Sequence, residues 1–405
     1  MLWFIIWSIA ITYRYKQEIL SSWQEPVLKH PVLIFESDDW GAGPLIQDKS
    51  LGQIISILER YCDKQGHHPV MTLGVVLSIP DTKKIKSIEY KRYFEKKLDD
   101  FEFEKIKGVM LKGLEQGIFD LQLHGMAHYW PDNVMYALQT DAHVRDWLNE
   151  ADFSVTETLP SVLQSRWTNT KTLPTTPLKD NEVSHAIKEE VNMFTQIFGF
   201  IPKVAVPPTF VWTPVVENRW HEHGLEYLTT PGHCCNLRDE NGVPEATGQK
   251  IYNGQASDSG LIYIVRNDFF EPGLGHTAEM ALNALEQKSQ LARPTLLEIH
   301  RFNFIQSHQE TKRSLETLER SIVLALEKYP ELIFLSTKEL ADKYTQNDLG
   351  LIESSLFIRF SVAMERVWAY QMIRKWFCIS GLVIPFLVFK KISVKIFNEK
   401  NNKPI

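Results

Sequence analysis

The sequence predicts an α/β fold in which seven or eight parallel strands form a distorted barrel wrapped by helices. Short apolar runs with the composition of buried strands alternate about eight times with segments in which apolar residues recur at helical spacing. This alternation is typical of parallel barrels rather than of sandwiches or helix bundles. Polar motifs follow the predicted strands. Because such barrels gather their sites at the carboxyl ends of the strands, we expect residues distant in sequence to meet there.

The length and composition favour one large domain with appendages. A chain of 405 residues, of which 44% are hydrophobic, can bury a large core. The net charge is only −6 and the body of the chain has no basic stripe, which argues against nucleic acid as a partner. We divide the chain into an apolar N-terminal segment at 1–29, the barrel at 30–345 and a basic, apolar tail at 346–405. Residues 129–180, after the third strand, are expected to form an insertion over the site.

The elements of the barrel follow from local patterns taken in chain order. Strand segments are rich in β-branched and apolar residues and end at glycine, proline or polar motifs. They are expected at 32–35, 70–79, 119–123, 204–208, 227–230, 261–265, 295–299 and 332–335. Helical segments carry apolar residues three or four positions apart, with capping residues at several ends. They are expected at 51–58, 83–104 with a continuation to 117, 182–198, 214–223, 277–290, 314–328 and from a capping box at 336–339.

The segment 32–43, with the sequence VLIFESDDWGAG, is the first motif able to carry chemistry. A short apolar strand opens onto two adjacent carboxylates, Asp38 and Asp39, and then glycine. Two carboxylates side by side repel, so a fold that retains both usually gives one a cation and leaves the other to move a proton. Taken alone, the same residues are also good turn formers.

His124 and His128 form the second motif, directly after the third strand. Their i, i+4 spacing would place both imidazoles on one face of a helical turn. With one carboxylate they make a triad that holds a divalent ion and leaves positions open for water and substrate. An isolated pair with this spacing is often just two surface histidines. The presence of Asp38 and Asp39 at the end of another strand makes a metal site the more specific interpretation of this pair.

The order of these motifs resembles that of the polysaccharide deacetylase superfamily, with the NodB-type fold. Its members carry a Thr-Phe-Asp-Asp-Gly type motif, a His-x3-His motif, a proline-bearing motif and a final strand ending in histidine. The corresponding segments here are Ser37-Asp-Asp-Trp-Gly41, His124-Gly-Met-Ala-His128, Val206-Pro-Pro208 and Leu297-Glu-Ile-His300. The resemblance covers roughly residues 30–345 and implies a distorted barrel of the glycoside hydrolase and deacetylase type.

The resemblance implies a role for each matching residue. Asp38 would be the general base and His300 the general acid. Asp39, His124 and His128 would hold a divalent metal ion, with zinc expected first and cobalt, nickel, iron or manganese as alternatives. The implied reaction is hydrolysis of a carbon–nitrogen bond that removes an acyl group, N-acetyl by preference, from a carbohydrate. The residue chemistry agrees, because a divalent ion activates water, a carboxylate accepts a proton and an imidazolium donates one.

The third motif departs from the family pattern, which resembles Arg-x-Pro-Tyr and uses its arginine to hold the catalytic aspartate. No arginine stands there, so either Arg301 or Arg266 replaces it or the base is weakly held. Arg266 and Asp268 could belong to a charge network or form only a structural salt bridge. Glu298 shares a strand face with His300 and would orient the site or keep His300 charged, unless it lies outside and pairs with a helix lysine.

Further residues are expected to shape the substrate pocket. Trp40, inserted before the glycine of the first motif, would wall the site or stack on a sugar ring. The substrate-contacting or supporting candidates are Trp40, Pro208, Thr209, Arg266, Asp268, Glu298 and Arg301. Four tryptophans expected near the site favour flat sugar faces. They are Trp130, Trp147, Trp167 and Trp212.

Two alternatives to a sugar deacetylase stay open. The missing third-motif arginine motivates a catalytically inactive deacetylase-like protein that binds carbohydrate or assists assembly. An amidase acting on a non-sugar carbon–nitrogen bond would share the same site and differ only in its pocket. The enzyme ranks first because the base, the three metal ligands and the acid are all present.

Cysteine usage and the chain ends bear on location. Four scattered cysteines do not suit a disulfide framework, which makes a reducing, cytoplasmic compartment the expectation. Apolar runs occupy 1–13 and 376–389, each spanning roughly 20 Å as a helix against a hydrocarbon core of about 30 Å. From residue 356 onward, nine Lys and Arg stand against two Glu, a net charge of +7.

These ends predict peripheral contact with the inner face of a membrane, whose anionic lipids attract basic segments. The expected substrate is then a lipid-linked or nascent cell-surface saccharide. The alternative is that both ends pack on the barrel and touch no membrane. The sequence leaves the oligomeric state open.

Overall fold

The computed structural model describes residues 2–149, 153, 155–266 and 268–388. Its strands are β1 (Val32–Gly41), β2 (Met71–Val76), β3 (Ser78–Pro80), β4 (Glu95–Lys97), β5 (Phe119–Leu123), β6 (Thr168–Asn169), β7 (Thr176–Pro177), β8 (Val204–Ala205), β9 (Tyr227–Thr230), β10 (His233–Arg238), β11 (Pro244–Lys250), β12 (Ile262–Val265), β13 (Asp268–Phe269), β14 (Thr295–His300) and β15 (Ile333–Phe334). Its helices are α1 (Leu2–Arg14), α2 (Lys16–Gln24), α3 (Gln47–Leu58), α4 (Thr82–Ser87), α5 (Glu104–Glu115), α6 (Pro131–Thr140), α7 (Ala142–Asn149), α8 (Asp180–Phe198), α9 (Pro214–Glu222), α10 (Ala278–Gln290), α11 (His308–Lys328), α12 (Thr337–Thr345), α13 (Leu356–Ala369) and α14 (Gln371–Ser380).

A parallel sheet forms the centre of the molecule and confirms the predicted fold class. Its strands run in the order β12-β9-β8-β5-β2-β1-β14-β13, and β15 also pairs with β1. Every pairing in this sheet is parallel. Only residues 266 and 267 separate β12 from β13, the two strands at the ends of this path. The sheet therefore curls into a distorted barrel, with helices connecting its strands.

Burial on both faces explains why the central strands read as continuous apolar runs. All ten residues of β1 and all six of β2 are buried. Helix α3 packs its apolar stripe on this core through Leu51, Ile54 and Leu58, which are fully buried. Leu318 and Ile322 of α11 complete the same cluster. The polar residues of β1 are therefore shut away from bulk water.

The pairing of β1 with β14 fixes the geometry of the site. Glu36 lies opposite Glu298, and Asp38 lies opposite His300. Because alternate side chains of a strand share a face, these four residues project to the same side of the sheet. Strand β5 ends immediately before His124, so the second motif also lies at a carboxyl end.

The first strand is longer than predicted. It continues through both aspartates to Gly41 instead of ending before them, so the turn interpretation of this segment is wrong. The register between β1 and β2 shifts between Ser37 and Trp40, which places Asp39 in a β-bulge. Bulges bend a strand and re-aim a side chain, and they often occur next to sites.

The helix predicted over 83–104 is wrong. The segment contains the short α4, after which Glu89 and Tyr90 adopt left-handed φ angles of 56° and 59° that end the helix, and one 3-10 turn at Phe101–Phe103. Strand β4 then pairs antiparallel with β3. Of the aromatic residues at helical spacing in this segment, Tyr90 and Phe94 pack on a separate apolar cluster around Tyr129, whereas Phe101 is exposed.

Residues 129–180, predicted as an insertion, contain more regular structure than expected. Helices α6 and α7 contribute Val134, Trp147 and Leu148 to the cluster around Tyr129. The two-stranded ribbon β6–β7 follows. Glu157 from this stretch forms an ion pair with Arg301 at 2.8 Å. The division of the chain into domains stays a prediction.

The two ends of the chain pack together. Helix α1 lies against α14, with the ring of Trp7 stacked on that of Trp376 at 5.4 Å between centroids. Helix α2 lies against α13, and Arg293, just before β14, pairs with Glu25 at 2.7 Å. Within 2–149, 155–266 and 268–388, no helix is both long enough and apolar enough to cross a bilayer.

Candidate active site

The bulge in β1 sets the direction of the Asp39 carboxylate. Asp39 has a left-handed φ of 71°, which short polar side chains tolerate better than branched ones. Gly41 follows with a φ of 119°, and a Cβ at this position would lie 2.3 Å from the carbonyl oxygen of Val76. The bulge therefore requires glycine at 41.

His124 and His128 lie in a loop, not on one face of a helical turn as predicted. The loop joins β5 to α6, and Gly125 within it has a φ of 99°. A Cβ at 125 would lie 2.9 Å from Cδ of Arg166 and 3.0 Å from the carbonyl oxygen of Ala127. The loop nevertheless brings the two imidazoles together, with ring centroids 4.8 Å apart.

Asp39, His124 and His128 form a cluster suited to a metal ion. Oδ1 of Asp39 lies 3.5 Å from Nε2 of His124 and 3.5 Å from Nε2 of His128. Two atoms bound about 2.1 Å from one tetrahedral ion would be about 3.4 Å apart. Asp39 Oδ1 and His124 Nε2 are buried, without a hydrogen-bond partner in the described part of the chain. Such unpaired buried atoms fit a cation ligated by one carboxylate and two imidazoles.

A hydrogen bond fixes which nitrogen of His124 faces Asp39, and burial keeps His128 neutral. Nδ1 of His124 lies 2.8 Å from the carbonyl oxygen of Val206, which can only accept. Nδ1 therefore carries a proton, and Nε2 is the nitrogen left to bind a cation. Burial alone would lower the pKa of His124, but Asp38 and Asp39 outweigh it and raise this pKa, so a cation would take the place of a proton on Nε2. Burial lowers the pKa of His128 to about 4, so this imidazole is neutral near pH 7. Val206 belongs to the proline-bearing third motif, which thus contributes a backbone carbonyl.

A buried ion pair that the sequence analysis missed supports the histidine loop. Glu190 of α8 accepts hydrogen bonds from the backbone N–H of Met126 and from Nε of Arg166, each at 3.0 Å. Nη1 of Arg166 donates to the carbonyls of Ala127 and Tyr129 at 3.4 and 3.3 Å. Charge-assisted bonds therefore hold the loop from outside the ligand cluster. The sequence signal was weak, since Glu190 is one acidic residue beside the apolar stripe of α8.

Asp38 is paired with Arg266. Nη2 of Arg266 lies 2.6 Å from Oδ2 of Asp38, and both side chains are buried. Burial opposes the charge on Asp38, but Arg266 outweighs it and holds the pKa of this carboxyl below its ordinary value. Oδ1 of Asp38 has no hydrogen-bond partner among the described residues and can accept a proton. Of the two arginines considered as substitutes for the third-motif arginine, Arg266 lies at Asp38, whereas Arg301 pairs with Glu157.

Two further carboxylates surround Arg266. Its Nε lies 3.2 Å from Oε2 of Glu36 and 3.5 Å from Oε2 of Glu298. Thr337 donates a hydrogen bond to Glu36. Burial raises the pKa of Glu36 to about 7 and also raises the pKa of Glu298. Glu298 therefore faces the barrel interior, not a lysine outside. Glu36 was missed, although it stands two residues before Asp38 and thus on the same strand face.

His300 is fixed by Glu271, a partner that the sequence analysis also missed. Nδ1 of His300 lies 2.5 Å from Oε1 of Glu271, and Asn303 donates to the same carboxylate. Burial alone would lower the pKa of His300, but the bond to Glu271 and nearby carboxylates outweigh it and raise the pKa to about 10. Nε2 of His300 lies 3.9 Å from Oε1 of Glu298. His300 is therefore protonated near pH 7.

The expectation that Trp40 contacts a sugar is wrong. Trp40 is fully buried, its Nε1 donates to Oγ of Ser37 at 2.8 Å and its ring stacks near that of Phe304 at 6.2 Å. The indole fills the core behind the bulge. Three of the other tryptophans expected at the pocket are also buried, namely Trp147, Trp167 and Trp212. Trp130 is half-buried and lines a cavity of about 680 Å³ beside the histidine loop.

The remaining residues predicted to support the substrate form no hydrogen bond or ion pair with Asp38, Arg266 or the ligand cluster in the described part of the chain. Asp268 pairs with Lys288 at 3.0 Å, so the proposed network of Arg266 with Asp268 does not form. Pro208 is buried in a short turn, and Thr209 in that turn has a left-handed φ of 55°. Oγ1 of Thr209 lies 2.9 Å from Oγ of Ser165. These residues shape the backbone next to Val206 in the third motif.

Comparison with known proteins gives matches in three-dimensional structure only. No protein-family profile matches the sequence, and no curated protein matches it. Among solved structures, a 4-α-glucanotransferase from Thermococcus litoralis matches at 10% identity and a TM-score of 0.40, over 80% of this chain and 41% of that one. This chain thus spans less than half the length of the glucanotransferase.

Deacetylases and an esterase recur among the matched structures. A peptidoglycan deacetylase from Bacillus subtilis matches at 11% identity and a TM-score of 0.38, over 80% of this chain and 95% of that one. A family 4 acetyl xylan esterase from Clostridium thermocellum, in complex with a cobalt ion, matches at 11% identity and a TM-score of 0.37, over 76% and 89%. All these TM-scores lie below 0.5. The proposed function therefore rests on the residues of this chain.

Proposed function

We propose that this protein is a metal-dependent hydrolase that removes an acyl group, N-acetyl in the first instance, from a carbohydrate. The convergence of Asp39, His124 and His128 carries this proposal, because it gathers a carboxylate oxygen and two imidazole nitrogens in one buried cluster. Asp38 and His300, on paired positions of β1 and β14, stand beside that cluster with opposite charges.

The ligand set fits a divalent ion. Two imidazoles and one carboxylate suit zinc, and also cobalt, nickel, iron or manganese. A divalent ion bound there supplies Lewis acidity and lowers the pKa of water. Its ligands in this proposal are Asp39, His124 and His128.

In this proposal, two residues beside the cluster carry out the two proton transfers of amide hydrolysis. Oδ1 of Asp38 accepts a proton from water as the water oxygen bonds to the acyl carbon. The imidazolium of His300 donates its proton to the amide nitrogen as the carbon–nitrogen bond breaks. The products are a carboxylic acid and the free amine of the sugar. In this scheme Arg266 keeps Asp38 ionised and Glu271 keeps His300 protonated, as their 2.6 and 2.5 Å contacts support.

The placement of Arg266 favours an enzyme over an inactive deacetylase-like protein. The motive for the inactive alternative was the missing third-motif arginine. Arg266 lies at the position where such a residue would act, 2.6 Å from Asp38. An amidase on a non-sugar substrate shares this chemistry, and substrate tests distinguish it.

We further propose that the reaction takes place in the cytoplasm, on a lipid-linked or nascent saccharide destined for the cell surface. The four cysteines, Cys62, Cys234, Cys235 and Cys378, are free, which suits a reducing compartment. This part of the proposal concerns location and substrate and is independent of the identity of the catalytic residues.

Acetate release from a panel of N-acetylated glycans, glycolipids and small non-sugar acetamides tests the proposed reaction. The protein is first stripped of metal and then supplied with zinc, cobalt, nickel, iron or manganese. We expect acetate only from sugar substrates, only with an added ion, and not from the Asp38→Asn variant. Release from the non-sugar amides alone would establish the amidase alternative. No release from any substrate with any ion would contradict the proposed activity.

A further inference from the structure

The exposed apolar residues of this protein are concentrated at its two ends. Seventeen of the 29 exposed large hydrophobic residues in the described part of the chain lie within 2–24 and 356–388. These segments comprise α1, α2, α13, α14 and the residues following α14, and we call them the terminal platform. Scattered exposed apolar residues are normal, but a contiguous cluster of this kind marks a surface for a partner.

Specific contacts join the two ends into one surface. Nε1 of Trp3 donates to the carbonyl oxygen of Ser380 at 2.9 Å, and Nε1 of Trp376 donates to Oη of Tyr15 at 3.1 Å. Ile11 of α1 and Ile373 of α14 are buried in a common cluster with Val367 of α13. The two terminal helices therefore have an inner face that packs and an outer face that has no partner in the described chain.

The outer face of α1 is continuous and apolar. Its side chains at helical spacing include Leu2, Ile6, Ile9 and Tyr13, which are 72%, 56%, 65% and 88% exposed. The outer side of α14 and the residues after it adds a second row. This row consists of Met372, Ile379, Ile384, Leu387 and Val388. A cleft of about 380 Å³ opens between α1, α13 and α14, lined almost entirely by apolar side chains.

Basic residues border this apolar face. Arg14 and Lys16 follow the apolar run of α1, and Arg374 and Lys375 stand on α14. These four side chains are exposed. The sequence from residue 356 onward carries +7, whereas the rest of the chain is strongly acidic. Tryptophan and tyrosine accompany the same helices, as is typical of segments that lie at a membrane interface.

We propose that the terminal platform is a docking surface for an anionic phospholipid bilayer, in which α1 and α14 lie in the interface. Helix α1 has 13 residues and is therefore about 20 Å long, which suits a helix lying along the interface. The apolar rows and the cleft enter the acyl-chain boundary, and the bordering cations contact lipid phosphates. A second copy of this chain is a weaker candidate, because two platforms would bring like basic borders together.

The platform is attached away from the candidate active site. Arg366 of α13 donates to the carbonyls of Leu291 and Ala292, just before β14 begins, at 2.9 and 3.0 Å. Leu28, before β1, bridges to Ile352, before α13. These contacts lie at the amino ends of β1 and β14, whereas Asp38 and His300 lie near the carboxyl ends. Docking of the platform is therefore independent of the proposed catalysis.

Sedimentation of the full chain with lipid vesicles tests the proposal. The probes are vesicles of phosphatidylcholine alone and of phosphatidylcholine mixed with phosphatidylglycerol. We expect the protein to sediment with the anionic vesicles and only weakly with the neutral ones. High salt and the Arg374→Gln, Lys375→Gln double variant should each weaken this binding, the variant on the order of tenfold. The Ile6→Glu, Ile9→Glu double variant should abolish it.

Matched variants keep the test independent of folding. Phe101 is 89% and Ile201 46% exposed, and both lie outside the platform. The Phe101→Glu, Ile201→Glu variant adds the same charge and should bind vesicles like the wild type. Thermal unfolding should give the same midpoint for both variants, since their side chains pack little. Vesicle binding that survives Ile6→Glu, Ile9→Glu would overturn the proposal. It would also be overturned if the wild type forms a dimer and does not bind vesicles, while the Ile6→Glu, Ile9→Glu variant is a monomer.

Discussion

Nη2 of Arg266 lies 2.6 Å from Oδ2 of Asp38, although the two residues are far apart in sequence. The same guanidinium also faces Glu36 and Glu298, so one buried cation lies next to three carboxylates. Burying charges in this way costs stability unless every member keeps its partner. The arrangement therefore favours a role in holding Asp38 ionised over a purely structural one.

Replacing Arg266 should damage both folding and activity. Arg266→Ala leaves three buried carboxylates without their cation, so we expect the free energy of unfolding to fall by about 3–5 kcal/mol. In denaturant unfolding, Glu298→Gln in the same background should recover part of that loss, since it removes one of the unpaired carboxylates. Activity should not recover, because Asp38 still lacks its partner. Wild-type activity in Arg266→Ala would remove Arg266 from the account.

The alkaline limb of the pH profile should report His300. Its pKa is raised to about 10, so the protonated acid persists through neutral pH and is lost as pH rises through about 10. Because Glu271 is the main partner that raises this pKa, Glu271→Gln should move the alkaline limb of kcat/KM toward the ordinary histidine value. His300→Gln should remove this limb. Profiles measured under saturating metal that keep the wild-type limb in both variants would contradict the assignment of His300 as the acid.

Gly74 should be required for the position of Asp38. A Cβ at residue 74 would lie 2.2 Å from Oδ1 of Asp38, so Gly74→Ala must displace that carboxylate. We expect kcat to fall on the order of a hundredfold with little loss of bound metal, because a misplacement of about 1 Å is costly in catalysis. Gly52→Ala in α3 is the matched control, since a Cβ there meets nothing within 4 Å. It should leave kcat unchanged and stabilise the helix by about 0.5–1 kcal/mol.

Arg366 should anchor the terminal platform to the barrel. It is 1% exposed and donates to several backbone carbonyls, those of Ser22, Glu25, Pro26, Leu291 and Ala292. Arg366→Ala removes these five hydrogen bonds, so limited proteolysis should cut within the platform faster than in the wild type. Arg359→Ala, which removes a contact with the ring of Trp23 at 5.2 Å, should change cleavage little. Equal cleavage of both variants would show that Arg366 is not the anchor.

The parts of the fold that could be predicted depend on local pattern. Strand β5 and helix α10 were found within a residue or so, because buried strands and amphipathic helices have distinct periods. The prediction of a helix over 83–104 was wrong because Tyr90 and Phe94 pack on the cluster around Tyr129, and such tertiary contacts override local helical spacing. The burial of Trp40 could not be foreseen either, since it follows from the bulge at Asp39.

Only those site residues whose type and spacing indicate a specific chemistry could be predicted from the sequence. Asp38, Asp39, His124, His128 and His300 stand out in the sequence, and the structure brings the three proposed ligands together. Their partners do not stand out. Glu271, Glu190 and Glu36 are single acidic residues in apolar surroundings. Their roles depend on partners far away in sequence, because Glu271 pairs with His300, Glu190 with Arg166 and Glu36 with Arg266.

Metal content is the most direct measurement of the central claim that Asp39, His124 and His128 hold a divalent ion. Elemental analysis of the purified wild type should find a divalent metal in about equimolar amount to the chain. Asp39→Ala and His128→Ala should lose it. His223→Ala, which removes a histidine at the end of α9 that is not part of the cluster, should retain it. A wild type that carries no divalent metal above the Asp39→Ala and His128→Ala variants, even after incubation with zinc, would contradict the account.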